Sequence, residues 1–558
     1  RTLFKVDRAA ERMKRRILSS PTKVEPAGVI YYVSAEGDDA NDGLSPNKPL
    51  RSIARVNDLE LKPSDGVLFR RGDLWRGCVM TCKGVTYSAY GKGEKPRIYG
   101  SPCDAAVEGE WLATDVPNVY MYSLEVSADV GTLVFNGGEK GCAFKVMKVL
   151  RDGMPPLHVD TGEEFESYRD LKRDLDMYHD YRDKKRIYLC STEGSPAERF
   201  ESIEMLTYGN VFRATDEVHI DNICLKYCGA HAIGSGTNKG LTVTNCEIGW
   251  IGGSIQFENP VGAPTRFGNA VEIYGGCEDF TIDNCYVYQV YDAALTHQHQ
   301  GNTQQLLTMK NVRYTRCLVE DCVYAIEYFL GREDTLKEHY MLNVLFENNI
   351  LRRAGMGWGN QRPDKITPAI IKSWSHHNNR AFNYVIRRNI FDRSTFDLLN
   401  IGYRDSYSAP KMEGNTYNTE KLNEQIEAWN ATLAQMSEEY SSITDAMNRM
   451  NANLEQSAQN ASHHQFTFQD MQKIGASASI GKREDARTTK DKIFVGFEYD
   501  DDGNVIERWV PAEEFFNEFN GLGSCFPYYF VRSIYKTGYG ELIRQEVTVW
   551  KIFLISLI

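Results

Sequence analysis

Two stretches of this chain, TVTNCEIGWIG (residues 242–252) and TIDNCYVYQVY (residues 281–291), share one pattern. Alternating residues lead to a polar or amide turn, then to a small residue and a second apolar run. The other copies of the pattern are HIDNICLKYCG (219–229), RYTRCLVEDCV (313–323), LFENNILRRAG (345–355) and VIRRNIFDRST (385–395). A repeat of this kind is typical of a solenoid, in which each unit forms one coil on top of the last.

One position of the repeat gives its period. It is held in turn by Ile223, Cys246, Cys285, Cys317, Asn349 and Asn389, which are 23, 39, 32, 32 and 40 residues apart. The shortest interval fits one bare coil, and the longer intervals fit coils with inserted loops. The spacing therefore predicts a parallel β-helix in which like residues stack in ladders. We interpret the cysteines as small apolar residues that fill the bore, and the asparagines as turn residues bonded to the backbone and to the next coil.

Composition and charge exclude several classes of protein. Of the 558 residues, 42% are hydrophobic and 25% are charged, which is an ordinary globular composition. The 64 basic and 76 acidic side chains leave a formal charge of -12, the wrong sign for a protein that neutralises many phosphates. No apolar stretch reaches the roughly 18 residues that span a bilayer. We therefore expect neither a nucleic-acid partner nor a membrane span.

The cysteines bear on the cellular compartment. The chain has 13 of them, an odd number without CxxC pairs, which favours reduced, packed thiols and slightly favours the cytoplasm over secretion. Because the chain begins at Arg1 rather than at a methionine, a truncated start and the compartment both stay open.

The repeat and the charge pattern divide the first part of the chain. Residues 1–28 are basic and predict a helical lead. Residues 29–415 are assigned to the β-helix, whose hydrophobic first cross-section has to be covered. A charged segment at residues 137–199 interrupts the β-like runs, with a helical pattern around residues 163–178. We predict that this segment is an inserted α/β part.

The composition changes abruptly after residue 415. Over residues 422–454, apolar side chains alternate at spacings of four and three, which predicts a heptad helix within residues 416–460. This helix either joins two or more chains or packs on the wall of the solenoid. Residues 461–558 are predicted to be a small α+β tail, in which residues 494–510 form a hairpin around an Asp-Gly turn.

Several segments resemble a known group of proteins. They are YYVSAEGDDANDGLSPNKPLRSI (31–53), VLFRRGDLWRG (67–77), GVTYSAYGKGEKPRIYG (84–100), AIEYFL (325–330) and QRPDKITPAIIKSW (361–374). Residues 29–415 resemble bacterial right-handed parallel β-helix proteins of the pectin-lyase-like, carbohydrate-active type. The resemblance implies this fold and a polysaccharide or oligosaccharide substrate. It leaves the activity open, because the same fold carries hydrolases, lyases and glycan-binding tailspikes.

Catalytic groups of a β-helix should point outward from neighbouring coils of one sheet. Alignment of the coils places Ile255, Leu295 and Ile326 inward, and turns Gln256, Thr296 and Glu327 outward. Glu327 lies in an apolar strand, where burial would raise its pKa and suit it to general acid work.

The second catalytic carboxyl stays open between Glu272 and Asp292. Glu272 lies between Val271 and Ile273 and should also face outward, but on the strand before the ladder position, and Asp292 is placed at the turn into the groove strand. A separation from Glu327 of about 5 Å would indicate retention of configuration, and one of roughly 6.5 to 9.5 Å inversion. An ordinary exposed glutamate is the structural alternative for Glu327.

Seven further residues are predicted to bind substrate. His297 and His299 follow Asp292 and would line the groove; no metal signature accompanies them. Arg362 and Lys372 could pair with a uronate, Asp364 shares their loop, and Trp358 and Trp374 offer flat faces to sugar rings, unless they belong to local core. These seven residues are His297, His299, Trp358, Arg362, Asp364, Lys372 and Trp374.

The leading hypothesis is a glycoside hydrolase that uses Glu327 with Glu272 or Asp292 and needs neither a metal nor another cofactor. A polysaccharide lyase, with a basic residue as base and calcium as cofactor, is the second hypothesis. The densest acidic loop, at Asp38, Asp39 and Asp42, is interpreted as a structural turn. The third hypothesis is a non-catalytic, tailspike-like glycan binder that assembles through residues 422–454.

Overall fold

A computed structural model describes residues 2–149, 156–158, 163–258, 264–299, 309–331, 339–362, 367–374, 379–418, 488–489, 492–499 and 505–511. The chain forms two compact units. The first comprises Arg1–Arg404 and Ser408–Asn418, and the second Asp405–Tyr407 and Thr419–Ile558.

Three long parallel sheets make up most of the first unit. The first sheet consists of Ile30–Val33, Gly66–Arg70, Thr86–Tyr90, His219–Asp221, Thr242–Thr244, Cys277–Asp283, Met309–Thr315, Met341–Glu347, Ala381–Arg387 and Lys411–Glu413, with Asn238–Lys239 beside it. The second consists of Leu74–Arg76, Arg97–Tyr99, Cys224–Cys228, Glu247–Ile251, Tyr286–Val290, Leu318–Glu320, Ile350–Ala354, Ile390–Ser394 and Thr416–Asn418, extended by Ile203–Thr207 and the antiparallel Val130–Phe135. The third consists of Val79–Met80, Phe212–Arg213, Ile233–Ser235, Val271–Ile273, Ala293–His299, Tyr324–Leu330, Ala369–Ser373 and Asp397–Asn400.

The chain visits the three sheets in turn, so that each circuit forms one coil of a parallel β-helix. The predicted mainly β fold with parallel sheets is confirmed, whereas its right-handed winding stays a prediction. Inward side chains of all three sheets form one continuous apolar cluster, which includes the ladder cysteines Cys246, Cys285 and Cys317. All the cysteines within the described ranges are free thiols.

Turn residues in the left-handed region explain why the repeat carries asparagine. The residue just before each ladder position has a φ between 52° and 61°. These residues are Asn222, Asn245, Asn284, Arg316, Asn348 and Arg388. Asparagine tolerates this conformation better than most residues because its short polar side chain can bond locally. The positive φ bends the chain from the first sheet into the second.

The ladder asparagines join neighbouring coils inside the bore. Asn349 Nδ2 donates to the Tyr314 carbonyl at 2.8 Å, and its Oδ1 accepts the Cys317 N–H at 2.9 Å. Asn389 repeats this pattern with the Phe346 carbonyl and the Asn349 N–H. The predicted structural role of these amides is therefore confirmed.

The N-terminal helix covers part of the second sheet, and the other described helices are short. The helix Thr2–Leu18 packs Ala10 and Ile17 on Tyr286, Leu318 and Ile350 of the second sheet. The short α-helices are Ile53–Asn57 and Pro196–Arg199, and the 3-10 helices are Asn136–Gly138, Tyr168–Asp170, Trp358–Gln361 and Ser406–Ser408. In the part of the chain that the structure describes, no helix is long and apolar enough to cross a membrane.

A separate five-stranded sheet lies between the early and the later coils. Its strands are Phe144–Val146, Asp176–Asp180, Arg186–Cys190, Val119–Tyr122 and Trp111–Ala113, in that order. Lys148–Val149 and Leu157–His158 form a small ladder nearby. The helical pattern predicted around residues 163–178 is wrong. A capping box at Ser167 and Asp170 does start a turn, but Leu171 is extended and ends it.

The second unit contains one described sheet. Lys492–Tyr499 pairs antiparallel with Val505–Pro511, as the predicted hairpin requires, and Thr488–Thr489 pairs with the start of Lys492–Tyr499. The predicted heptad helix of residues 422–454 lies outside the described residues.

Removing an asparagine of the inner ladder should destabilise the coil. In Asn349→Ala the Cys317 N–H and the Tyr314 carbonyl lose their partner in an apolar bore. We expect the free energy of unfolding to fall by about 2 to 4 kcal/mol, measured by chemical denaturation. Asn343→Gly is the control, because Asn343 belongs to an exposed ladder and glycine keeps its left-handed backbone. Equal losses in the two variants would contradict the inner ladder's role.

Candidate active site

A row of polar side chains crosses the outer face of the third sheet. The strand register places Thr296 opposite Glu327, Glu327 opposite Lys372, and Lys372 opposite Asn400. Thr296 also donates a hydrogen bond of 2.9 Å to Glu272 on the preceding coil. Since neighbouring strands are about 4.8 Å apart, the row brings residues that are distant in sequence into one surface.

This register corrects the alignment of the Glu272 coil. The predicted groove strand with Ile255 and Gln256 is instead one arm of a hairpin, Ile255–Glu258 paired with Pro264–Arg266. Val271 takes the inward place and pairs with Leu295. The hairpin is an inserted loop of the 39-residue interval, so the groove strand comes later than the repeat suggested. Glu272 therefore lies in the groove row itself.

Glu327 is held between two donors. The indole Nε1 of Trp374 donates to its Oε1, and the Gln298 side chain donates to its Oε2, both at 2.7 Å. Glu327 is only 7% exposed. Burial and the charge of Asp292 raise the pKa of Glu327 to about 8, against the opposite effect of Trp374 and Arg362. At neutral pH the carboxyl is mostly protonated and can give up a proton.

Glu272 is a second buried carboxyl on the same face. It accepts hydrogen bonds from the Asn269 amide and from Thr296, and it is 6% exposed. Burial raises the pKa of Glu272 to about 7, although both hydrogen bonds oppose the shift. Near neutral pH, both the protonated and the ionised forms of Glu272 are therefore present.

Asp292 differs from both glutamates because it has a cationic partner. The Arg362 guanidinium forms an ion pair with its carboxylate, and the Asp292 side chain is 11% exposed. A charge-assisted contact of this kind compensates for the loss of water around an ionised carboxylate. The charge of Asp292 raises the pKa of Glu327 more than the charge of Glu272 does, so Asp292 lies near Glu327.

The five-stranded sheet supports the loop that carries Arg362. The Gln361 side chain donates to the Ala143 carbonyl at 2.9 Å and accepts the Lys145 N–H at 3.3 Å. Lys145 in turn forms a buried ion pair with Asp129. Burial lowers the pKa of Lys145 to about 8, although the attraction of Asp129 opposes the shift. Neither Lys145 nor Asp129 was predicted from the sequence, because no local pattern links them to Arg362.

Lys372 and Trp374 border Glu327 on the following coil. Lys372 Nζ lies 4.3 Å from the centre of the Trp374 ring and donates to Asn400 Oδ1 at 3.2 Å. Trp374 therefore orients Glu327 and also holds a cation over its ring. The structure thus brings six predicted residues together: Glu272, Asp292, Glu327, Arg362, Lys372 and Trp374.

The two predicted groove histidines are inside the coil. The Nδ1 of His297 lies 2.9 Å from the Tyr314 hydroxyl, and its ring stacks on Tyr328 at 5.2 Å. Burial lowers the pKa of His297 to about 3, so the ring is neutral. His299 is fully buried, and its ring lies 5.1 Å from that of His339. The alternation that turns Thr296 outward turns both histidines inward, which corrects their predicted place in the groove.

Two other predicted binding residues are not at the row. Trp358 is buried, donates to the Gln289 carbonyl at 2.9 Å and packs on Tyr291, so it belongs to local core. Asp364 lies outside the described residues.

No group of three or more histidine, cysteine, aspartate or glutamate side chains suited to a metal occurs within the described ranges. The acidic loop near the start of the β-helix has a structural arrangement. Asp38 and Asp42 accept backbone N–H groups two residues ahead, and Asp39 accepts those of Arg51 and Ser52.

Comparison with known proteins adds a short sequence match. The chain is 39% identical over 80 residues to a lacto-N-biosidase of Bifidobacterium longum subsp. longum. The match covers 12% of this chain and spans only 5% of the length of that relative. No family model matches the chain.

Solved structures that are similar to this chain include carbohydrate-active proteins. A glycoside hydrolase is 10% identical, with a TM-score of 0.35, and the likeness covers 70% of this chain and 97% of that one. A pectate lyase is 11% identical, with a TM-score of 0.37 and coverage of 72% and 79%. A lacto-N-biosidase from Eubacterium ramulus is 13% identical, with a TM-score of 0.27 and coverage of 70% and 68%.

Because the pKa of Glu327 is raised, replacing this residue by glutamine should stabilise the fold at high pH. Its pKa of about 8 lies above the ordinary value of 4.5, so the folded chain binds the proton more tightly than the unfolded chain. The stabilisation of the fold by proton binding at Glu327 is complete below about pH 4.5 and is lost as the pH rises through about 8. Glu327→Gln should therefore raise the unfolding temperature at about pH 9 and change it little at about pH 5.

Calorimetry at both pH values measures this difference. Glu278→Gln, on a strand of the first sheet, is the control and should not raise the unfolding temperature, because its carboxylate pairs with Lys239 and Lys310. An unfolding temperature of Glu327→Gln that falls below that of the unaltered protein at the higher pH would contradict the burial of an uncharged carboxyl.

Proposed function

We propose that this chain is a carbohydrate-active enzyme, specifically a glycoside hydrolase in which Glu327 is the general acid and Asp292 the nucleophile or base. One observation carries the proposal. A buried carboxyl with a pKa raised to about 8 lies within electrostatic reach of an aspartate that is paired with Arg362. Glycoside hydrolysis uses two carboxyl groups of this kind, one protonated and one ionised.

The proposed chemistry needs no group beyond these side chains and water. Glu327 donates its proton to the glycosidic oxygen as the bond to the anomeric carbon breaks. Asp292 either attacks that carbon or removes a proton from the water that attacks it. If Asp292 attacks, water that gives a proton back to Glu327 then breaks the glycosyl–Asp292 ester and regenerates both carboxyl groups. If Asp292 acts as the base, it takes the proton of the attacking water, and exchange with solvent restores both groups. Either course yields one new sugar hydroxyl and one new reducing end.

Arg362 and Glu272 have supporting roles in this proposal. Arg362 compensates the charge of Asp292 through their ion pair, and its position depends on the contacts of Gln361 with Ala143 and Lys145. Glu272, joined to the row through Thr296, is the alternative partner of Glu327. We favour Asp292 over Glu272 as the second catalytic carboxyl. The ion pair with Arg362 compensates the charge of Asp292, whereas the partners of Glu272 are uncharged.

Hydrolysis of a panel of glycans tests the proposal. The panel should contain p-nitrophenyl lacto-N-bioside, because of the short match to a lacto-N-biosidase, together with xylo-oligosaccharides and oligogalacturonides. On the oligosaccharides, whose sugar leaving groups need a proton, Glu327→Gln and Asp292→Asn should each lower kcat by about 10² to 10⁴, the usual contribution of a general acid or base. Glu272→Gln should lose much less.

The matched control is Asp283→Asn, because Asp283 forms a comparable ion pair with Arg316 on the first sheet. It should keep full activity. Activity lost in Glu272→Gln and retained in Asp292→Asn would reassign the second carboxyl. Retained activity in Glu327→Gln would contradict the proposal, and a rise in absorbance from unsaturated uronates would show a lyase instead.

The hydrogen bond from Trp374 to Glu327 should affect how the activity depends on pH. Activity falls as the pH rises through the pKa of the acid, about 8 for Glu327. The indole donor stabilises the ionised carboxylate and so lowers this pKa. Trp374→Phe should therefore move the alkaline limb of kcat/KM to higher pH.

The control is Trp75→Phe, which removes a buried indole bonded to the Arg51 carbonyl far from the row in sequence. Its alkaline limb should match that of the unaltered protein. A limb that moves to lower pH in Trp374→Phe would contradict the role of Glu327 as the acid.

A further inference from the structure

The inserted hairpin places an exposed aromatic side chain on the coil of Glu272. Its arms, Ile255–Glu258 and Pro264–Arg266, lead directly into the strand Val271–Ile273. Phe257, on the first arm, is 55% exposed. Exposed apolar side chains are ordinary when scattered, but one that adjoins a polar site is a candidate contact for a ligand.

A continuous series of contacts joins Phe257 to the carboxyl row. Its ring centre lies 5.9 Å from that of Phe267, and the Phe267 centre lies 6.2 Å from that of His231. His231 Nδ1 accepts the Asn269 N–H at 3.0 Å, and the Asn269 side chain donates to Glu272. The aromatic side chains therefore begin where the row of carboxyls ends.

The hairpin is held at its base and along its first arm. Gln256 Nε2 donates to the Phe267 carbonyl at 3.1 Å and to the Ser254 carbonyl at 3.3 Å. At the end of the arm, the Tyr181 hydroxyl donates to Glu258 at 2.8 Å, and Arg182 forms an ion pair with the same carboxylate. A side chain on a fixed backbone loses little conformational entropy when it binds a ligand.

The polar groups near these rings favour an uncharged ligand. Burial lowers the pKa of His231 to about 4, so its ring is neutral at neutral pH. Because Nδ1 accepts a hydrogen bond, the ring carries its proton on Nε2, which makes that atom a donor for a hydroxyl group. The two cations of the row have partners of their own: Arg362 pairs with Asp292, and Lys372 donates to Asn400.

We propose that Phe257, backed by Phe267 and His231, is an aromatic subsite that stacks one neutral sugar ring of the glycan beside the Glu272 end of the row. The inference rests on the proposed function for the identity of the ligand. The electron-rich face of the phenyl ring suits the C–H face of a pyranose. His231 Nε2 adds a hydrogen bond to a ring hydroxyl.

Affinity for neutral probes tests the subsite without turnover. Glu327→Gln serves as the inactive background, and calorimetric titration measures its binding of xylohexaose, p-nitrophenyl lacto-N-bioside and hexagalacturonate. We expect a neutral probe to bind, and the added Phe257→Ala to weaken it by about tenfold, the size of a lost apolar contact. Phe257→Trp should keep the affinity.

Phe382→Ala is the matched control, because Phe382 is 44% exposed on the first sheet and contacts Tyr340. It should leave the affinity unchanged. Equal affinity in Phe257→Ala and its parent would overturn the subsite, as would binding of hexagalacturonate alone or of no probe.

The two proposals fail separately. Hydrolysis by the unaltered chain, with Phe257→Ala binding like its parent, would overturn the subsite and leave the hydrolase. Weaker neutral binding in Phe257→Ala, without hydrolysis by the unaltered chain, would overturn the hydrolase and support the subsite as a binding platform.

Discussion

The register between successive coils is the constraint on which the rest of the structure depends. A shift of one residue would turn every inward side chain of a strand outward. The apolar bore and its asparagine ladder prevent such a shift, because Leu295 and Ile326 must stay inside and Asn349 must reach the Tyr314 carbonyl. This fixed register aligns Thr296 with Glu327 and Glu327 with Lys372 on the outer face.

The environment of each carboxyl then sets its chemistry. Glu327 and Glu272 are buried, and burial favours their protonated forms even though the uncharged donors around them oppose the shift. Asp292, in contrast, faces the guanidinium of Arg362. The carboxyl groups therefore differ in environment, and the proposed acid and base roles require such a difference. The five-stranded sheet contributes to this difference, since its backbone holds the Gln361 side chain and so the residue next to Arg362.

Local patterns predicted much of this arrangement. The repeat identified the coils, and the alternation of residues turned Glu272 and Glu327 outward. The same alternation places His297 inside, but the expectation of a groove-lining loop overrode it. The hairpin beginning at Ile255 imitated a groove strand, because an inserted arm has the same alternation as a coil strand.

Long-range contacts could not be predicted in this way. Lys145 and Gln361 are separated by 216 positions in the sequence, and nothing near either residue indicates that they meet. The burial of Trp358 against Tyr291 likewise depends on packing between segments. The heptad pattern of residues 422–454 stays a prediction, together with any assembly through it.

The most direct test is a measurement of the protonation state of Glu327 as a function of pH. Infrared difference spectra between the unaltered protein and Glu327→Gln isolate the carbonyl stretch of its protonated carboxyl. We expect a band that persists at neutral pH and disappears as the pH rises through about 8. A band that is already lost near the ordinary pKa of 4.5 would contradict this expectation.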